Sequence, residues 1–329
     1  MAEAVIEARQ ADYADVMTSL VAEVALTYVD MRTLEERLRL TRASVDAQER
    51  TFDLTRWRTE AGLTTALDVE QSRANLESTR AQIPALQRDL VQTRNKLAFL
   101  SGEAPGGYEE RGVAPIAIPV ASTNLAIGVP ADMLRRRNDI RSAERELAAQ
   151  SARIGLATAS LYPSFRLTGS VSSSSTNFSG LFDSSAVTTS LVRSISAPIF
   201  NFGQLRANVE AEDALYEQSL SVYKKTILNA LREVEDALAA RAAAAKSASL
   251  LQDAVEAATS VRDLATQEYE AGLSGFIEVL DAQRTLLSLQ EQHALNRSAE
   301  TGAMISLYKA VGGGWSAAPQ DTDSNGENS

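Results

Sequence analysis

Asp281 and Arg284 stand three residues apart, a short distance beyond a glycine, and form the charged pair best placed to act together. On a helix that spacing lets a carboxylate and a guanidinium meet, and an exposed pair of this kind contributes about 0.3–0.5 kcal/mol. Two short glycine turns accompany them, Ala61-Gly62-Leu63-Thr64 and Ala271-Gly272-Leu273-Ser274. A small exposed leucine beside a tight glycine turn is a knob that another coiled hairpin can accept; the plainer reading is a glycine helix cap. No group of residues has the makings of an enzyme. The single histidine, His293, lies in a helical stretch with Gln290 and Gln292 nearby, and a lone helical histidine is far more often a surface or packing residue than a ligand or base. The serines cluster without a basic partner in motif spacing, and Gly312-Gly313-Gly314 follows a helix instead of opening one, which rules out a phosphate cradle. The chain is therefore read as no enzyme, with no cofactor and no metal site.

Composition excludes further classes. The formal net charge of -11 leaves no basic stripe to neutralise phosphates, so nucleic acid is not an expected partner. The absence of cysteine removes disulfides and thiolate metal sites and leaves the compartment open. No run of 18 or more apolar residues encodes a membrane-spanning helix. Aromatic residues make up 5% and prolines number 8, among long stretches of Ala, Leu, Glu, Arg and Gln, which favours long helices over a compact mixed core.

The elements that must position the glycine turns are set by an internal repeat. Glu60-Ala61-Gly62-Leu63 returns 210 residues later as Glu270-Ala271-Gly272-Leu273, and Asp68-Val69 returns as Glu278-Val279. The same register pairs Tyr13 with Tyr223, Glu23-Val24 with Glu233-Val234, Leu97 with Leu307 and Gly102 with Gly312. It runs for 105 residues without insertion and holds 20 identities. Such a period is too long for a solenoid and marks a duplicated domain. Residues 211–315 match residues 1–105, whereas 106–210 have no upstream counterpart, so a complete first copy needs about a hundred residues before Met1. The expectation is one and a half copies of a unit, truncated at the N-terminus. Met1-Ala2-Glu3 leads directly into an amphipathic helix, with no signal peptide.

Between residues 3 and 60 there is no proline or glycine, and Met17, Leu20, Val24, Tyr28, Met31, Leu34 and Leu38 recur in steps of three and four. This is coiled-coil spacing, and a helix of nearly 60 residues reaches about 90 Å. Gly62 ends it, and a second helix is expected over Ala66–Leu100, with Leu76, Ile83, Leu86, Leu90, Leu97 and Leu100 on one face and a kink or loosened turn at Pro84. The second copy repeats this antiparallel hairpin as Arg206–Ala271, the turn Gly272–Gly275, and Phe276–Ala310. Residues 106–131 read as a Gly- and Pro-rich connector with a short strand around Val113–Ile118, followed by a helix over Ala131–Ala159. Phe165, Leu167, Gly169 and Val171 then alternate with Arg166, Thr168, Ser170 and Ser172. A polar loop, Ser172–Ser185, separates this strand from a second, Val187–Phe200, in which Arg193 falls in line with Leu191 and Ile195. Each run is long enough to cross a bilayer as a tilted strand of about 9–11 residues; an ordinary soluble hairpin is the alternative. Residues 316–329 read as a disordered tail.

Four segments together resemble the TolC-like outer-membrane factors of tripartite efflux pumps, in particular the lipoprotein branch that works with RND-type transporters. They are GVPADMLRRRNDIRSAERELAAQSARIGLATASLYPSFRLTGS (128–170), APIFNFGQLRANVEAE (197–212), EYEAGLSGFIEVLDAQR (268–284) and LYKAVGGGW (307–315). The chain departs from the family pattern at Asn138, where a helix-starting proline is usual. The resemblance implies a mostly α fold. Long antiparallel coiled-coil hairpins would form an α-barrel tunnel in the periplasm, and strands would join a transmembrane β-barrel formed by a trimer, four per protomer. Its implied partners are a periplasmic adaptor, an inner-membrane RND-type transporter, two further copies of the chain and outer-membrane lipid. The implied location is the outer membrane with a periplasmic extension. The resemblance also assigns Ala61, Gly62, Leu63, Thr64, Ala271, Gly272, Leu273 and Ser274 to the adaptor-binding tips. It assigns Tyr269, Ile277, Asp281 and Arg284 to a gate closing the periplasmic end. The first copy carries Gln71 and Ala74 where the second has Asp281 and Arg284, so the gate is asymmetric.

The implied function is a passive conduit for drugs or other small molecules. A duct for type I protein secretion and a soluble coiled-coil scaffold are the alternatives, and the strand pair argues against the scaffold. Three copies of one strand hairpin give six strands, fewer than the eight of the smallest membrane barrels. A fragment, a misplaced start codon or a decayed gene is therefore expected. The upstream sequence should hold another strand pair, a secretion signal and a lipid-accepting cysteine.

Overall fold

The computed structural model describes residues 1–106, 117–119, 136–174 and 187–313. The expected strand near Val113, most of the connector 106–131, most of the loop Ser172–Ser185 and the tail 316–329 lie outside the described residues. Eight elements follow in order: α1 Ala2–Glu60, α2 Ala66–Arg80, α3 Gln82–Leu100, α4 Asn138–Ala159, β1 Ser164–Ser173, β2 Val187–Ser196, α5 Gln204–Glu270 and α6 Phe276–Ala310. Among the described residues no helix is long and apolar enough to cross a membrane.

The expected Ala66–Leu100 helix is interrupted at Ala81, between α2 and α3. Pro84 accounts for the position of the break, because its ring removes one donor and crowds the carbonyl four residues earlier, that of Arg80. The helix α4 begins at Asn138 without the proline common at its start.

Contacts divide the chain into two compact units that do not follow the repeat boundary: Met1–Asp12 with Asp139–Ile227, and Tyr13–Asn138 with Leu228–Ser329. In the first, α4 is tied by side chains to the start of α1 and to α5. Ser142 Oγ bonds Asp12, Arg145 pairs with Glu7 at 3.2 Å, and the buried Gln150 donates from Nε2 to the Glu212 carboxylate at 2.6 Å. The two strands of this unit pair antiparallel, Ser164 opposite Ser196 through Ser173 opposite Val187.

The second unit is a set of coiled helices. Leu76, Ile83, Leu90 and Leu97 lie seven residues apart on α2 and α3. Ile83, Leu90 and Leu97 pack against Met31 and Leu38, themselves seven apart on α1. Another side of α1, through Val29 and Leu40, meets Ala294 of α6 together with Ile118. On α5 the buried residues Ala230, Ala237 and Ala244 keep the seven-residue step, and Ala237 packs against Met304 and Leu307 of α6. This heptad spacing keeps each seam facing its partner along the helices. Threonine enters the buried surface of α1 because its hydroxyl finds a partner on the helix itself. Thr41 and Thr55 donate to the carbonyls of Arg37 and Thr51, at 2.9 and 2.8 Å.

The end of α6 meets the residues just before α4. Arg137, nearly buried, donates to the Ala310 carbonyl at 2.8 Å and to Glu233 at 2.7 Å. Gly312 has a φ of +99°, and a Cβ there would lie 3.1 Å from the Arg136 backbone. Replacing Gly312 by alanine is expected to lower stability by about 1–3 kcal/mol. Gly155, in α4 with open space around it, should gain about 0.5–1 kcal/mol from the same change. Denaturant unfolding of the two variants checks both signs.

Candidate functional site

Both glycine turns end a helix in the same way. Leu63 N–H donates to Arg58 O at 2.8 Å and Gly62 N–H to Thr59 O at 2.9 Å; Leu273 and Gly272 repeat this to Glu268 and Tyr269 at 2.8 and 3.0 Å. This paired pattern requires a left-handed residue, and Gly62 and Gly272 have φ of 74° and 75°. The turn throws the next side chain outward: Leu63 is 67% and Leu273 80% exposed. Ala61 and Ala271 are also exposed, while Thr64 and Ser274 are half-buried.

Beyond the turns the tips differ. Thr65 caps α2 reciprocally with Asp68: Asp68 N–H donates to Thr65 Oγ1 at 3.3 Å, and Thr65 N–H returns to Asp68 Oδ2 at 3.1 Å. The Thr64 hydroxyl also donates to Asp68. It is the chief reason that the carboxyl sits below its ordinary pKa, with Thr65 adding to it and burial opposing. The second tip has Gly275 at the corresponding place, without a side-chain cap, and the buried Ser274 hydroxyl has no partner.

Several polar contacts join the two tips. Arg58 Nη1 donates to the Tyr269 carbonyl at 2.6 Å and to the Glu270 carbonyl at 3.2 Å. A cation thus caps the negative end of α5. The Arg58 guanidinium also lies 4.8 Å from the centre of the Tyr269 ring. Tyr269 is only 2% exposed, packed with Phe276, Val279 and Leu280. Its hydroxyl donates to Thr55 Oγ1 at 3.1 Å, and Thr55 passes its own proton to Thr51 O at 2.8 Å. Gln283 Nε2 donates to Thr51 Oγ1 at 2.9 Å. Arg284 Nε donates to Asn75 Oδ1 at 2.8 Å.

Among the four positions expected to form a gate, Tyr269 and Arg284 bind the first copy within the chain. Ile277 is 49% exposed, and Asp281 is exposed with no hydrogen bond or ion pair among the described residues. The simple Asp281–Arg284 pair suggested by their spacing is not formed, because the buried face of α6 at Ala282 and Gln283 turns Arg284 towards α2. His293 is half-buried; burial first, then the charge of Arg297, depresses its pKa, with Glu36 opposing. Next to the tip, between α1 and α5, lies a cleft of about 770 Å³ lined by Arg50, Trp57, Arg262, Gln267 and Gln283 among others.

The sequence profile described as outer membrane efflux protein matches residues 1–103 and 129–313. The chain belongs to the outer membrane efflux protein family. It is 36% identical over 302 residues to the solvent efflux pump outer membrane protein SrpC of Pseudomonas putida, covering 92% of this chain and 64% of that protein. It thus spans less than two thirds of the length of that relative. Nodulation protein T of Rhizobium leguminosarum bv. trifolii is 32% identical over 317 residues, 95% of this chain and 67% of its own. The solved outer-membrane channel OprN superposes with a TM-score of 0.87 at 32% identity, covering 95% of this chain and 70% of OprN. The outer membrane protein VceC of Vibrio cholerae gives 0.85 at 25% identity, covering 95% and 74%. The likeness to these solved channels agrees with the long coiled helices of this chain.

Several residues that build this efflux-family tip escaped the sequence reading: Arg58, Thr51, Thr55, Asn75, Gln283 and the Thr65–Asp68 cap. The cap had a readable signal, Thr-x-x-Asp just after the turn. Arg58 had a weaker one: the 210-residue offset sets it against Glu268, and Thr59 against Tyr269. The copies therefore diverge where they touch.

A double-mutant cycle of Tyr269→Phe and Thr55→Val should give a coupling energy of about 0.5–1.5 kcal/mol in urea unfolding. The Asp68 cap has a defined pH dependence. Its folded pKa is lower than the unfolded value of about 3.9, so its contribution is complete above that value and is lost as the pH falls through the folded pKa. Amide exchange at Leu67–Glu70 should stay slow from neutral pH down to about 4 and quicken only in stronger acid. Asp68→Asn should remove that acid dependence.

Proposed function

We propose that the chain acts as the outer-membrane conduit of a tripartite efflux system, a passive duct whose energy comes from an inner-membrane RND-type transporter. The observation that carries this reading is the pair of repeat-related turns, each presenting one exposed leucine at the end of a coiled hairpin. Leu63 and Leu273 are apolar knobs on a rigid base, and the adjoining cleft offers a bed for the helical hairpin of a periplasmic adaptor. The β1–β2 hairpin has the strand length of a bilayer-crossing element. Three copies, each lending its hairpins, enclose the duct. Relatives named for solvent and antibiotic efflux support small apolar compounds as cargo.

The same geometry supports a gate. Tyr269 and Arg284 fasten the second hairpin to the first, while Ile277 and Asp281 stay on the surface, available to a neighbouring copy. Adaptor docking at the leucines favours a state in which the Thr55 and Asn75 contacts are released.

The test uses the absence of native cysteine. Single cysteines at Leu63, Leu273 and, as a control, the exposed Ser249 are introduced into the chain, and thiol cross-linking to a purified adaptor is measured. Cross-links at the two leucine positions and none at Ser249 are expected. Equal labelling at all three sites, or labelling at Ser249 alone, refutes tip docking. In cells that depend on the chain for efflux, Leu63→Asp with Leu273→Asp should raise drug susceptibility several-fold at an unchanged outer-membrane level of the protein.

A further inference from the structure

The two faces of the β1–β2 hairpin differ in chemistry. The register sets Phe165 opposite Ile195, Leu167 opposite Arg193 and Gly169 opposite Leu191, so these side chains share one face with Val171 and Val187. Phe165, Leu167, Val171, Leu191 and Ile195 are all more than half exposed. The opposite face is mostly hydroxyl-bearing, with Ser164, Thr168, Ser170, Ser190 and Ser194. Arg193 is the only charged residue of the two strands on the apolar face; Arg166, the other charge, lies on the polar face beside Ser194. Neither strand contains an aspartate or glutamate. The Arg193 side chain is exposed and makes no hydrogen bond or ion pair among the described residues.

We propose that Arg193 is a binding site for the phosphate of a glycerophospholipid headgroup, in the leaflet on the helix side of the hairpin. The inference rests on the reading that the hairpin crosses the outer membrane. Each strand has 10 residues; at about 3.3 Å per residue and a tilt of about 40° that is roughly 25 Å, the height of the apolar band of a membrane barrel. β2 ends at Ser196 and leads into α5, so Arg193 is three residues from the helix-side edge, about 8 Å inside the band on the same estimate. The far end at Val187 is about twice as distant. An arginine stem can cover the shorter path by lying along Ile195 and Phe165 with its head in the headgroup layer. There the planar fork matches two phosphate oxygens at once. With no carboxylate on either strand, phosphate is the complementary charge within reach. The anchor fixes the height and rotation of the hairpin in the bilayer, which an apolar face alone leaves free to slide.

The test is native mass spectrometry of the detergent-purified full chain titrated with phosphatidylglycerol, alongside flotation with phosphatidylethanolamine–phosphatidylglycerol vesicles. The wild-type chain should float and retain bound phosphatidylglycerol. Arg193→Gln should still float but lose the bound lipid several-fold, Arg193→Lys should be intermediate because it keeps charge without the fork, and Arg166→Gln should match wild type. Unchanged lipid retention in Arg193→Gln, or equal loss in Arg166→Gln, overturns the site while leaving the membrane reading intact. Preference for lipid A over phosphatidylglycerol overturns the leaflet assignment. A wild-type chain that does not float overturns the membrane reading and this inference together.

Discussion

A helix of 59 residues such as α1 gains little from its own backbone bonds, which only replace bonds to water. Its persistence depends on apolar side chains repeating every seven residues, so that one seam never rotates away from its partner. In this chain α1 carries one such seam to α3, through Met31 and Leu38, and a second contact to α6 through Val29 and Leu40, which lie eleven apart. Because α1 is shared in this way, the turn at its end is held beside the turn that joins α5 to α6. The polar network at the tip, from Arg58 to Tyr269 and from Gln283 to Thr51, has a defined geometry only because the seams have already set the level of the helices. Burying that many hydroxyls and amides would be costly if the helices could slip, since each would then lose its partner.

Much of this architecture was legible beforehand, for identifiable reasons. Heptad spacing is a property of one helix, so the long elements and their antiparallel return could be read directly. Glycines at 62, 102, 272 and 312 mark helix ends because glycine adopts the left-handed turn without a Cβ penalty. The strand pair was visible because alternation needs no knowledge of a partner. What escaped were choices between partners. The spacing of Arg284 and Asp281 allowed a pair on one helix and could not show that Arg284 bonds Asn75 of α2. The resemblance gave Tyr269 a place in the gate but not its partner within the chain, Thr55. Arg58 had no motif, since capping the end of another helix depends on proximity across more than two hundred positions. The break at Ala81 fell three residues before Pro84 because a proline acts on the carbonyl four residues back, not on itself.

The two tips illustrate how a duplicated unit divides its work. The first is closed by a reciprocal cap between Thr65 and Asp68, reinforced by Thr64. The second opens with Gly275 and leaves the Ser274 hydroxyl unpaired in a buried position. The second therefore has fewer local restraints and depends on the first through Arg58, Thr55 and Asn75. A well-anchored hairpin thus stands beside a more weakly anchored one.

The seven-residue seams also restrict how such a chain can evolve. Adding one residue within α1 or α5 would rotate everything beyond it by about 100°, carrying an apolar row into solvent and its polar neighbour into the interface. Adding seven would preserve the facing sides but push one glycine turn past the other by about 10 Å, stranding Arg58 away from α5. Length change is thus admissible only if both copies lengthen together. That accounts for 105 residues of the duplication staying in step without a gap while most of the letters have drifted: selection has kept the tally of residues more strictly than their identities.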